Sequence, residues 1–137
     1  MTDDLPLSGL RAICMAINVP GPAAAAILAA QGMEIVKIEP PTGDLTGHAM
    51  PGWYAEINRD ATVETVDLRD AAGQARFHEL LRGADLLISS HRRAALGRLG
   101  ITMPALAALN PALCWVEIVG DTQAPAVPGH DLTYQAA

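Results

Sequence analysis

Short apolar runs alternate along this chain with segments of helical periodicity. Five runs have the length and composition of β-strands, and the first is a continuous apolar run of the kind that is buried on both faces of a sheet. The five runs are GLRAICMAI (9–17), MEIVKIEPP (33–41), ATVETVDLRD (61–70), ADLLISS (84–90) and LCWVEIVG (113–120). They predict a core that contains Ile13, Ile35, Val36, Leu86, Leu87 and Val116.

The segments between these runs predict helices. PAAAAILAAQG (22–32) has proline at its first position and glycine at its end, an asymmetry that is typical of an α-helix. AAGQARFHELLRGA (71–84) is amphipathic, and its apolar side turns Phe77, Leu80 and Leu81 toward the core. Two short helices are predicted at RRAALGRLG (92–100) and MPALAALNP (103–111).

The stretch 42–60 has no sustained period and is rich in turn residues, so it predicts a long loop. His48 and Trp53 in this stretch would form either a lid over a substrate or a mobile surface. Trp115 is predicted to pack in the core beneath the first helix. The methionines spaced as core-filling residues are Met15, Met33 and Met103.

The order of these elements predicts the fold class. It indicates an α/β protein with a Rossmann-like, doubly wound parallel sheet of about five strands and flanking helices. No internal repeat or low-complexity linker interrupts the sequence, so residues 1–137 are expected to lie in one domain. Ligands of such sheets bind beyond the carboxyl ends of the strands. The candidate site is therefore expected on the loops 18–22, 89–98 and 120–131.

The first of these loops, NVPGP, lacks the G-x-G-x-x-G pattern, so a dinucleotide pyrophosphate site is not supported. Gly21 and Pro22 open a helix of small residues, and free N–H groups at such a helix start suit an anion or a carbonyl. A tight turn without a ligand is an equally good interpretation of the same residues.

Composition and charge narrow the function classes. The chain of 137 residues is 50% hydrophobic, carries a formal net charge of -6 and has no stripe of Lys or Arg, which argues against nucleic acid and membrane partners. The apolar stretch AAAAILAA (23–30) is much shorter than the roughly 20 residues of a membrane span. The acidic start lacks the features of a signal peptide, so a cytoplasmic location is expected. Cys14 and Cys114 are predicted to be buried free thiols, and no metal site is indicated.

Several motifs in this order and spacing carry a resemblance to a known family. They are PLSGLR (6–11), the GP pair at 21–22, AAQGMEIVKIEPPTGD (29–44), VDLRDAAGQARFHELLRGADLLI (66–88), RRAALGRLG (92–100), LAALNPALCWVEIVG (106–120) and GHDLTYQA (129–136). With them the chain resembles the class III CoA-transferases, a family that includes carnitine and formyl-CoA transferases and α-methylacyl-CoA racemases. The resemblance runs from residue 5 to the end of the chain.

The resemblance implies an expected role for the chain. Members of the family are considerably longer and form interlocked dimers of ring-shaped subunits, so residues 1–137 would be the amino-terminal part of the Rossmann-like large domain. The expected ligands are coenzyme A, as an acyl-CoA thioester, and a carboxylic acid. The expected partner is a second copy in a homodimer or a complementing chain that carries the rest of the fold. The catalytic aspartate of the family would lie beyond residue 137, so the chain alone is expected to be inactive.

The resemblance also assigns site residues. His130 matches an acid/base histidine of the racemases in the GHD motif, and Asp131 matches an acidic residue that lines the transferase site. Alternatively, Asp131 is only a helix N-cap and His130 only a loop residue. Arg98 matches a CoA phosphate contact, which suits a guanidinium, although a solvated surface arginine remains an alternative. The residues implied in CoA binding are Val19, Pro20, Val66, Ser90, His91, Arg98 and Leu99.

Some positions depart from the family pattern. Val19 replaces a polar residue that reaches the thioester, and Pro40 replaces an arginine found in some members. His91 stands where an aromatic ring often covers the adenine, and GDTQAP (120–125) replaces a glycine-rich segment. Three functions therefore stay open: part of an acyl-CoA transferase, part of a racemase-like isomerase that uses His130, or a non-catalytic module that binds CoA or a partner.

Overall fold

The computed structural model describes residues 5–127, which form a five-stranded sheet with helices on both faces. The strands are β1 (Arg11–Cys14), β2 (Glu34–Glu39), β3 (Ala61–Thr65), β4 (Leu86–Ser89) and β5 (Cys114–Glu117). The helices are α1 (Pro20–Ala29), α2 (Leu45–Ala49), α3 (Pro51–Ile57), α4 (Ala71–Arg82), α5 (Arg93–Arg98) and α6 (Met103–Leu109). His130 and Asp131 lie outside the described residues.

The strands are arranged in the order β3-β2-β1-β4-β5, and every neighbouring pair is parallel. In the centre of the sheet, Ile13 of β1 is paired with Val36 on one side and Leu87 on the other. The chain first builds the sheet outward from β1 to β3 and then returns to place β4 on the other side of β1. The predicted Rossmann-like α/β fold is confirmed, and its switch point lies between β1 and β4.

Apolar side chains fill both faces of this sheet. On one face the strands pack against α4, α5 and α6, with Phe77, Leu81 and Leu96 almost fully buried. On the other face, Ala25 of α1 packs near Cys14 of β1. Predicted core positions that are buried in these two clusters are Ile13, Met15, Met33, Ile35, Val36, Phe77, Leu80, Leu81 and Leu87, while Leu86 is half-buried against the second cluster.

Three core predictions, for Val116, Cys114 and Met103, are wrong, and Trp115 packs against the core as predicted but not beneath α1. Val116 is 44% exposed and Cys114 is also exposed, because β5 is an edge strand whose alternate residues point away from α5 and α6. Met103 is 62% exposed at the start of α6. Trp115 packs on the sheet face opposite α1, where its Nε1–H donates to Oγ of Ser89 over 2.9 Å. The exposure of Val116 and Cys114 follows from strand order, which is set by long-range pairing.

The stretch 42–60 is not the predicted loop, since it contains α2 and α3. Asp44 caps α2 by accepting a hydrogen bond from the backbone N–H of Thr46 over 2.9 Å, and Pro51 opens α3. Helices of five and seven residues are too short to show a hydrophobic period. Their local signals are the cap and the proline, which the search for periodicity missed.

Helix α1 begins two residues before the predicted start, with Val19 as N-cap and Pro20 as its first residue. Its first turn approaches β1 closely, and Gly21, Pro22 and Ala25 are buried against the sheet. None of the described helices is long and apolar enough to cross a membrane.

Candidate functional site

A cleft of about 270 Å³ opens at the carboxyl ends of β1, β2 and β3 and the loop after β4. We call it the carboxyl-edge cleft. Its floor is apolar, with Met15 and Ile38 contributed by the sheet. The residues that line it are Met15, Ile38, Glu39, Pro40, Pro41, Thr42, Val66, Asp67, Leu68, Arg69, His91 and Leu99. Its position is that expected for a ligand site of a doubly wound sheet.

A second cavity under α1, of about 10 Å³, is far smaller. It lies between α1 and the end of α3, and its volume holds no more than about one water molecule. The carboxyl-edge cleft is therefore the only one of these two cavities that is large enough for part of an organic ligand.

The cleft brings together three of the residues implied in CoA binding, namely Val66, His91 and Leu99. Ser90 is half-buried directly after β4, and Arg98 is exposed in the last turn of α5, next to Leu99. Neither side chain lines the cleft. Val19 and Pro20 lie at the start of α1, exposed and likewise outside the cleft lining.

His91 is half-buried in the wall of the cleft. Its Nδ1 atom is buried and has no hydrogen-bond partner among the described residues. Burial lowers the pKa of His91, because an imidazolium loses hydration there and no carboxylate compensates. The neutral ring is consequently favoured.

Apart from Val66 and the departure at Pro40, the sequence analysis assigned no site residue to the loops after β2 and β3, which supply seven of the twelve residues that line the cleft. Arg69 and Asp67 form a two-pronged ion pair, with Nη2–Oδ2 at 2.8 Å and Nε–Oδ1 at 2.9 Å. Hydrogen bonds from the side chain and the backbone N–H of Arg69 lower the pKa of Asp67 to about 2. The carboxyl ends of all parallel strands meet at one edge, so the segment VDLRD after β3 was the available signal.

The two arginines Arg93 and Arg98 of α5 differ in how far their charges are paired within the protein. Arg93 follows β4 and carries a positive charge, but its Nη2 lies 2.6 Å from Oε2 of Glu117 on β5. Hydrogen bonding to Glu117 raises the pKa of Arg93 and ties α5 to the edge strand. Arg98, by contrast, has no ion pair with the described residues, so its charge is available to a ligand.

A buried ion-pair network lies beneath α2 and α3, beside the cleft. Lys37 is 1% exposed, and its Nζ lies 2.9 Å from Oε1 of Glu39 and 2.7 Å from Oδ2 of Asp44. The same Nζ stands 4.7 Å from the centre of the Tyr54 ring, at a distance suited to a cation–π contact. The hydroxyl of Tyr54 donates to Oε1 of Glu39 over 2.7 Å.

Glu39 lines the cleft, but its carboxylate is paired with Lys37 and accepts a hydrogen bond from Tyr54 inside the protein. Burial and the hydrogen bond to Glu39 raise the pKa of Tyr54 to about 12, so the phenol stays protonated as a donor. Within residues 5–127, no group of three or more His, Cys, Asp or Glu side chains is placed to hold a metal ion.

A parallel sheet in the order 3-2-1-4-5 with a cleft at its carboxyl edge defines a Rossmann-like α/β protein, and in such sheets ligands bind at the strand ends. Comparison with known proteins makes the assignment more specific. The chain belongs to CoA-transferase family III, whose family profile matches residues 7–137.

Relatives of this family share moderate identity with the chain. The succinyl-CoA–L-malate CoA-transferase alpha subunit of Chloroflexus aurantiacus is 34% identical over 128 residues, which cover 86% of this chain and 30% of that protein. The formyl-CoA:oxalate CoA-transferase of Streptomyces avermitilis is 27% identical over 126 residues, covering 87% of this chain and 31% of that protein. The chain thus spans under a third of the length of these curated relatives.

Solved structures agree with this assignment. A CAIB/BAIF family protein from Brucella suis has a TM-score of 0.90 and 26% identity, over 97% of this chain and 39% of that one. A hypothetical protein from Mycobacterium tuberculosis has a TM-score of 0.86 and 28% identity, with 96% and 39% of the two chains covered. A short chain dehydrogenase/reductase family protein, at 21% identity and a TM-score of 0.52, shares the fold alone.

Proposed function

We propose that this chain is the amino-terminal, CoA-binding portion of the large domain of a CoA-transferase that moves CoA between carboxylic acids. The observation that carries the proposal is the carboxyl-edge cleft, which is built from segments that match the family. The names of the relatives support this substrate class, since each of the curated relatives above is named for transfer of CoA to or from a carboxylic acid.

The cleft suits the nucleotide end of CoA. Val66 and Leu99 provide apolar contacts, and the neutral ring of His91 offers a flat surface for a heteroaromatic base. Arg69 lies in the cleft wall and Arg98 stands at the end of α5 beside Leu99. The guanidinium of Arg98, which has no ion pair with the described residues, matches a phosphate group by charge and by bidentate geometry. Arg69 is already paired with Asp67 and offers a phosphate only its remaining N–H groups.

Val19, Pro20 and Ser90 complete the proposed CoA contacts. Val19 and Pro20 lie at the start of α1, where Pro20 and Pro22 have no N–H, so Gly21 supplies the one backbone N–H of the first three helix residues that could meet a carbonyl or an anion. Ser90 follows β4, next to His91. Because Val19 has no hydrogen-bonding side chain, any polar contact with the thioester at this position is left to the backbone.

The chemistry of the proposed transfer needs groups beyond the cleft. A carboxylate nucleophile would form a covalent acyl intermediate, and we propose that this residue follows residue 137 in a longer polypeptide or in a complementing chain. Asp131, as an N-cap, would have its carboxylate engaged by backbone N–H groups and so is a poor nucleophile. We propose a cytoplasmic homodimer or complemented pair as the working form.

A racemase-like isomerase is the second candidate, and the sequence GHD at 129–131 favours it. An imidazole with an ordinary pKa of about 6.5 suits proton transfer at the acyl α-carbon. Here His130 would act as one of two acid/base groups, and Asp131 would line the site. A non-catalytic CoA-binding or partner module is the third candidate, motivated by the departures at Val19, Pro40 and 120–125.

Isothermal titration of the 137-residue chain with CoA tests CoA binding. We expect Arg98→Ala to weaken binding by about tenfold, which is the effect of losing about 1.4 kcal/mol from a phosphate contact, and Arg69→Ala to weaken it less, because Asp67 already pairs with Arg69. Arg82→Ala is the matched control, since Arg82 is exposed at the end of α4 and lies at the opposite edge of the sheet. Absence of binding heat from the unmodified chain would contradict the proposal.

A further inference from the structure

One buried carboxylate joins three separate segments beside the candidate site. Oδ2 of Asp44 accepts from Nζ of Lys37 on β2 over 2.7 Å, and Oδ1 accepts from the backbone N–H of Thr46 over 2.9 Å. The backbone N–H of Asn18, in the loop between β1 and α1, points at both oxygens over 3.2 and 3.3 Å. The side chain of Asp44 is fully buried, so water does not compete for these bonds.

Asn18 has an unusual backbone conformation. Its φ is 65°, and it is the one non-glycine residue of the described chain with a positive φ. L-residues other than glycine avoid this left-handed region, which Asn tolerates better than most. Asn18 directly precedes Val19, the N-cap of α1, so its conformation sets the direction in which Val19 and Pro20 leave β1.

Lys37 holds the carboxylate of Asp44 in place. Burial alone would raise the pKa of Asp44, but the hydrogen bonds from Lys37 and from the backbone N–H groups of Thr46 and Asn18 lower it below its usual value. Asp44 is therefore charged at neutral pH, and its bond to Asn18 is charge-assisted. Glu39 and Tyr54 complete the surroundings of Lys37 and leave its ammonium group no exposed position.

We propose that Asp44 is a positioning residue for the β1–α1 loop, which it holds through the left-handed Asn18 so that Val19 and Pro20 face the bound thioester. This inference rests on the proposed function, because CoA binding gives the loop its role. It differs from a purely local role, in which Asp44 is only the N-cap of α2. A local cap needs the bond to Thr46, whereas positioning needs the bond to Asn18.

Backbone amide hydrogen exchange, followed residue by residue by NMR, separates the two roles. For each amide we compare the exchange rate in Asp44→Asn with that in the parent. We expect this acceleration to be at least about tenfold larger for the Asn18 and Val19 amides than for the β4 amides, since the loop opens locally. Glu64→Gln is the matched control, because it removes the carboxylate charge from the 2.8 Å pair with Arg76 on the opposite face of the sheet. If the Asn18 amide and the β4 amides are accelerated by the same factor in Asp44→Asn, as in Glu64→Gln, the proposal is overturned.

A second pair of variants leaves the ion-pair network intact. Asn18→Gly keeps access to a positive φ, whereas Asn18→Val does not, so we expect CoA affinity within about twofold of the parent for the first and about tenfold weaker for the second. Equal CoA affinity of Asn18→Val and the parent would overturn the role in positioning.

The two proposals fail in different ways. If the parent chain does not bind CoA, the proposed function fails, while amide exchange in Asp44→Asn still decides whether Asp44 holds the loop. If the parent binds CoA and Asp44→Asn binds it equally well with an unchanged Asn18 amide, only the positioning inference fails.

Discussion

Gly21 lies so close to Ala16 that a Cβ atom on Gly21 would stand 2.1 Å from the Cβ atom of Ala16. Both residues are buried where α1 crosses the end of β1. Glycine at position 21 thus sets the distance between the first helix and the sheet, and with it the position of the loop that enters the candidate site.

Gly21→Ala should destabilise the fold. The added methyl group forces α1 away from β1, and overpacking of this kind costs about 1–3 kcal/mol. Urea unfolding followed by circular dichroism measures the change. The control is Gly97→Ala, since a Cβ atom at Gly97 meets nothing within 4 Å in α5 and should leave stability unchanged or raise it. Equal effects of the two substitutions would contradict the close approach.

Lys37→Met should destabilise the fold more strongly. It leaves the carboxylates of Asp44 and Glu39 buried without their cation, and removing one partner of a buried pair costs about 3–5 kcal/mol. The comparison is Arg59→Ala, which removes an exposed cation and should cost less than about 1 kcal/mol. Urea midpoints at neutral pH measure both, and similar losses would show that Lys37 is hydrated.

The folded state should become less stable as the pH decreases, and part of this loss should come from His91. The folded-state pKa of His91 is lowered, so the unfolded chain binds a proton more readily, and stability decreases as pH falls below the ordinary value of about 6.5. Replacement by phenylalanine removes this group. We expect the loss of stability between about pH 7.5 and 5.5 to be smaller in His91→Phe than in the parent. An identical loss in both proteins would mean that His91 is hydrated.

The two thiols should differ in reactivity. Cys114 is exposed on the edge strand, whereas Cys14 is buried and burial raises the pKa of its thiol, which disfavours the reactive thiolate. Titration of the native chain with a chromogenic disulfide should therefore modify one cysteine rapidly, and denaturation should release the second. Cys114→Ser should abolish the rapid phase. A rapid phase that persists in this variant would place Cys14 at the surface.

The 137-residue chain alone should show neither CoA transfer nor α-proton exchange. It offers at most His130 of the two groups that racemisation needs, and the proposed carboxylate nucleophile is not among its described site residues. Incubation with acyl-CoA and a carboxylic acid, with mass spectrometry of the products in deuterated solvent, tests this expectation. Turnover by the purified chain, lost in His130→Ala, would contradict it.

Local pattern was sufficient for much of the fold. The apolar centres of β1, β2 and β4 place Ile13, Val36 and Leu87 in the core, because a parallel strand covered on both faces must be apolar throughout. Phe77 and Leu81 are found on the buried side of α4, since their spacing defines one face of a helix. The family motifs, taken in order, were likewise sufficient to identify CoA-transferase family III.

Tertiary structure alone decided the remaining features. Val116 is apolar yet exposed, and Lys37 is charged yet buried, because strand order and the packing of α2 and α3 determine which positions meet water. The cleft joins the ends of strands that are far apart in sequence, so Arg69 becomes part of the site only when β3 is placed beside β2. Long-range pairing has no local signature, and for this reason the sequence predicted the elements better than their exposure.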